Sequence, residues 1–113
     1  MSARAKADVE LTKGDRRPAL RVVFLHARTL APFSLTDPRL LMTPVLGGDA
    51  KIDYAQMSID PEDDSIATYE WGATDTNTEG DFWMVFRDTD GSGKHVHFPA
   101  QSAKLLVRIT AAE

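Results

Sequence analysis

From Ile59 to Phe86 the chain alternates apolar and polar residues with a period of two, broken at fixed points by turn chemistry. Ala67, Tyr69 and Trp71 alternate with Thr68 and Glu70, and Phe82, Met84 and Phe86 alternate with Trp83, Val85 and Arg87. Side chains two apart on an extended chain share a face, so each run predicts a strand with one aromatic face turned to a core. Asp60-Pro61-Glu62-Asp63-Asp64 predicts a hairpin connection before the first run, and Gly80 marks the start of the second. Between them, Ala73 to Glu79 predicts a single helical turn capped by Thr74 or Asp75.

The same period runs through the rest of the chain. Val9 and Leu11 alternate with Glu10 and Thr12 before the turn Lys13-Gly14-Asp15. Leu20, Val22 and Phe24 point one way and Val23 and Leu25 the other, which predicts a strand covered on both faces. Ala31 to Ser34 reads as a connecting loop. Leu40 to Leu46 reads as a strand, and Pro44 within it implies a sheet edge or a bulge. Residues 52 to 59 form one further predicted strand. Asp88 to Lys94 is a turn, followed by Val96 and Phe98 alternating with His95 and His97, and then by Leu105, Val107 and Ile109. The sum is an all-β, immunoglobulin-like antiparallel sandwich of about seven to eight short strands.

A chain of 113 residues without cysteine must stabilise that sandwich by its core alone, and 42% apolar residues suffice for one domain. The expected organisation is a flexible arm over residues 1–7 and a single domain over 8–113. The arm carries Arg4 and Lys6 but lacks the apolar stretch of a secretion signal. A net charge of −4 argues against nucleic acid or an anionic membrane as partner. No apolar run approaches the roughly 18 residues that cross a bilayer.

Candidate chemistry is sparse. Asp88-Thr89-Asp90-Gly91-Ser92-Gly93 resembles the start of a calcium loop, but its twelfth position is Pro99 rather than glutamate, and predicted strands flank it. It reads as a hairpin turn. His95 and His97 share a strand face, where Asp88, Asp90 or His26 would have to complete a metal site; spacing marks no such third ligand, and no metal is expected. There is no Gly-x-Ser-x-Gly, phosphate loop or dinucleotide fingerprint, so no catalytic residue and no cofactor are predicted. Tyr54, Tyr69, Trp71 and Trp83 are the residues a sugar-stacking platform would use, and core or interface packing accounts for them equally. Trp83 lies opposite Phe82 and Met84 in the alternation, so either both faces of its strand are covered or it is exposed as a contact anchor.

Several segments, in order, resemble the immunoglobulin-like domain found at the N-terminus of phage baseplate upper proteins and in small stand-alone phage structural proteins. They are Leu11 to Asp15 with Pro18 and Leu20, Ser34-Leu35-Thr36-Asp37 leading into Leu40-Leu41-Met42, Ile59-Asp60-Pro61, Tyr69-Glu70-Trp71, Asp75-Thr76, Glu79-Gly80-Asp81-Phe82, and the hairpin ending at His97-Phe98-Pro99. The resemblance implies a non-enzymatic virion protein, present in multiple copies in a tail, baseplate, neck or capsid and partnered by other virion structural proteins. Contact would then fall to Arg4 and Lys6 on the arm and to Trp83. The alternative is a carbohydrate-binding module for host-surface attachment, stacking on Trp83, Trp71 or Tyr69.

Overall fold

The computed structural model describes residues 9–26, 29–98 and 105–111. Nine strands run through them: β1 (Val9–Thr12), β2 (Leu20–Val23), β3 (Pro38–Pro44), β4 (Ile52–Gln56), β5 (Ser58–Ile59), β6 (Ile66–Tyr69), β7 (Gly80–Thr89), β8 (His95–Phe98) and β9 (Leu105–Thr110). One sheet has the order β1-β9-β7-β3-β4, with β8 also on β7; the other has the order β2-β6-β5. All pairs are antiparallel except β1 with β9, which run parallel. The chain crosses between sheets after β1, after β2, after β4 and after β6, so that hairpins are interleaved between the layers. This is an immunoglobulin-like sandwich.

The aromatic alternation places the core. Along the ten residues of β7, Phe82, Met84, Phe86 and Asp88 are buried while their neighbours are half-buried. Phe24, just past β2, meets Phe86 edge-on at 5.4 Å and Phe98 at 5.1 Å, joining the two layers. Leu11, Leu35, Leu40, Met42, Ile52, Met57, Ala67, Trp71, Val107 and Ile109 complete one continuous cluster with them. Trp71 is 2% exposed, and its indole N–H donates to the Pro18 carbonyl at 3.2 Å. A buried indole needs such a partner for its donor.

The structure corrects several expectations. The stretch 52–59 is two strands, not one. Met57 is buried and donates its N–H to the Pro38 carbonyl, and the chain passes there from the larger sheet to the smaller. Pro44 is not on an edge strand, because β3 lies between β7 and β4; it ends the strand, where a missing donor costs little. The bulge is present, but in β4: Leu40 pairs with Ala55 and Met42 with Ile52, so the extra residue lies on that strand. Tyr54 adopts φ 52° within it.

Val23 and Leu25 are 50% and 40% exposed, so β2 is covered on one face only. Three strands make a sheet whose outer side has no layer above it among the described residues. The segment after Trp71 forms hydrogen-bonded turns rather than a helix, with Asp75 N–H to Gly72 O and Asn77 N–H to Thr74 O. Asp75 is buried instead of capping: its Oδ2 accepts from Gly72 N–H and from Tyr69 Oη, each at 2.6 Å. The arm expected over 1–7, with Arg4 and Lys6, lies outside the described residues.

Candidate functional site: the outer face of the larger sheet

Strand register sorts the residues of β7 that point away from the smaller sheet into rows running across the larger one. In one row, Gln56, Arg39, Arg87 and His97 are successive cross-strand partners on β4, β3, β7 and β8. The next row pairs Leu41 with Val85. Beyond it, Trp83 stands between Thr43 and Leu106. The last row sets Asp81 beside Arg108 and Glu10. A basic row, an aliphatic row, an aromatic row and an ion-paired row therefore succeed one another along one face.

Trp83, the residue left ambiguous by alternation, is half-buried there. Leu41 and Val85 are half-buried as well, and Leu106 is 7% exposed. Trp83 thus belongs to an apolar strip on the outer face and not to the core cluster. At its far end Arg108 is 8% exposed and its Nε donates to Asp81 Oδ1 at 2.9 Å. That pair fixes the border of the strip with a charge-assisted bond.

At the other end the basic row is held by an aromatic ring. Arg87 places its guanidinium carbon 4.0 Å from the Tyr54 ring centroid. Arg39 donates from Nε to Asp37 Oδ2 at 3.3 Å and from Nη1 to the Tyr54 carbonyl at 3.4 Å. The bulge that gives Tyr54 its positive φ is what brings ring and carbonyl to these two arginines. Nothing in Asp53-Tyr54-Ala55 announces it, since no glycine or proline marks the position.

The other candidate side chains have structural partners. Asp88 points inward, where Oδ1 accepts the N–H groups of Thr36 and Asp37 at 3.0 and 2.8 Å, pinning the β2–β3 connection to β7. Asp90 Oδ1 accepts from Ser92 N–H, Ser92 Oγ and Lys94 N–H, which holds its carboxyl below the usual range and closes the hairpin turn. His26 packs on Phe33 at 5.1 Å. His95 and His97 are both exposed with ring centroids 6.5 Å apart, and His95 Nδ1 lies 2.8 Å from Thr89 Oγ1. Among the described residues, no three histidine or carboxylate side chains gather to hold a metal ion.

The aromatic residues separate in the same way. Trp71 is in the core, and Tyr69, half-buried, directs its hydroxyl to Asp75. Burial, with the Asp75 carboxylate adding to it, pushes the Tyr69 phenol above its ordinary range. Trp83 is the tryptophan left facing outward. Comparisons with protein-family models, with characterised proteins and with solved structures gave no match for the chain.

Proposed function

We propose that the chain is a non-enzymatic virion structural protein of a phage or prophage, docking onto a larger tail, baseplate, neck or capsid assembly in several copies. The observation that carries the reading is Trp83 on the outer face of the larger sheet, in a strip with Leu41, Val85 and Leu106. Contact surfaces favour a large aromatic anchor ringed by smaller apolar groups and bordered by charge. The ordered resemblance to phage immunoglobulin-like domains supplies the setting, and repeated copies follow from the symmetry of such assemblies.

A carbohydrate-binding role would also use Trp83. Support for it is thinner, because Trp71 is buried and Tyr69 is committed to Asp75, so the wider stacking platform is not assembled. Mass spectrometry of purified particles released by cells that encode the chain tests the leading reading. Stoichiometric presence in particles is expected; absence from them overturns it.

A further inference from the structure

The basic row contains an imbalance. Arg39 and Arg87 are direct cross-strand partners, and like charges at that spacing oppose each other. Asp37 offsets Arg39, but no carboxylate among the described residues pairs with Arg87 or His97. Arg87 makes no hydrogen bond either. Its Nε is the buried side-chain nitrogen left without a partner, while its two Nη atoms remain reachable from solvent. The Tyr54 ring holds the guanidinium carbon 4.0 Å from its centroid without using the guanidinium donors. His97, next in the row, is exposed. A planar fork of free donors is thus held in place beside two further nitrogen-bearing side chains, in a chain whose net charge is −4.

We propose that the row Arg39–Arg87–His97 receives carboxylate side chains from an acidic segment of a partner protein. The inference rests on the reading that this face docks, and names the chemistry of what docks there. Two oxygens of a carboxylate match two parallel N–H donors of guanidinium. The row spans about 10 Å, two interstrand spacings, and alternate side chains of an extended peptide are about 7 Å apart. Two carboxylates of one acidic strand therefore reach the row together, while Trp83 and Val85 flank it with apolar surface. A nucleic acid matches less well, because its many phosphates would meet the net negative charge of the rest of the chain.

The test uses the full chain and a fluorescein-labelled octaglutamate peptide at low ionic strength, read by anisotropy. Saturable binding is expected, weakened by 150 mM salt and lost by roughly tenfold or more in Arg87→Gln. His97→Glu, at an exposed position, is expected to weaken it similarly, and serves if Arg87→Gln unfolds. No binding by the wild type overturns the proposal, as does binding that neither variant changes. Equal binding of octalysine, or of an oligothymidylate, overturns it too. Displacement by equimolar inorganic phosphate would assign the row to a small anion and likewise overturn it. Particles that contain the chain while octaglutamate fails to bind would remove this proposal alone; octaglutamate binding by a chain absent from particles would remove the virion reading alone.

Discussion

Arg87 stacks its guanidinium 4.0 Å from the ring centroid of Tyr54, the residue that carries the positive φ of the β4 bulge. A bulky residue with φ 52° is costly, and the stack together with the Arg39 bond to the Tyr54 carbonyl offsets that cost. The relationship ties a backbone irregularity to the placement of the basic row. Tyr54→Gly and Tyr54→Ala both remove the ring, but only glycine relieves the backbone. Urea unfolding is expected to show Tyr54→Gly the more stable of the two by about 1 kcal/mol. Equal stabilities would mean that the bulge is not strained.

Asp88 anchors the β2–β3 connection through two backbone N–H groups from inside the sandwich. Asp88→Ala leaves both donors without that acceptor and is expected to cost about 2–4 kcal/mol. Asp88→Asn keeps an acceptor oxygen and is expected to cost less. Chemical denaturation of both variants checks the order; a calcium-dependent melting temperature in the wild type would contradict the structural role.

Tyr69 supplies a pH dependence with a definite sign. Burial and the Asp75 contact raise its phenol above the ordinary value of 10.0, so the folded state holds the proton after the unfolded chain has released it. The associated stability is complete below pH 10.0 and is lost as pH rises above it toward the folded value. Stability measured from pH 9 to 11.5 is therefore expected to fall more steeply in the wild type than in Tyr69→Phe. Parallel curves would contradict the burial and Asp75 contact assigned to this hydroxyl.

The two tryptophans differ in exposure, Trp71 being 2% exposed and Trp83 half-buried. Acrylamide is expected to quench mainly Trp83, so that Trp83→Phe leaves a poorly quenched, blue-shifted emission. Strong residual quenching in that variant would place Trp71 nearer to solvent than the core packing allows.

The parts of this arrangement legible in sequence are those set by local period. The alternation through β6 and β7 located the core face, and Asp60-Pro61 located the β5–β6 turn, because both signals lie within a few consecutive residues. The break at Met57 and the bulge at Tyr54 carry no glycine or proline, so tertiary packing decides them. Exposure of Val23 and Leu25 depends on how many strands the second sheet has. Asp75 has the residue type of a helix cap, but Tyr69 and Gly72 recruit it inward. The basic row was the least legible: Arg39, Arg87 and His97 become neighbours only through the register of three separate strands. Trp83 is the aromatic residue that the alternation does not assign to the core face. Its outward placement gives that anomaly a location.

Docking through the outer face is tested by particle incorporation of Trp83→Asp beside the wild type. Both proteins are expressed in cells producing the particles, and each is quantified in the sedimented and soluble fractions, with the variant's folding checked by thermal unfolding. Wild-type chain is expected with the particles, and folded Trp83→Asp in the soluble fraction. Folded Trp83→Asp sedimenting with particles at the wild-type level would contradict docking through this face.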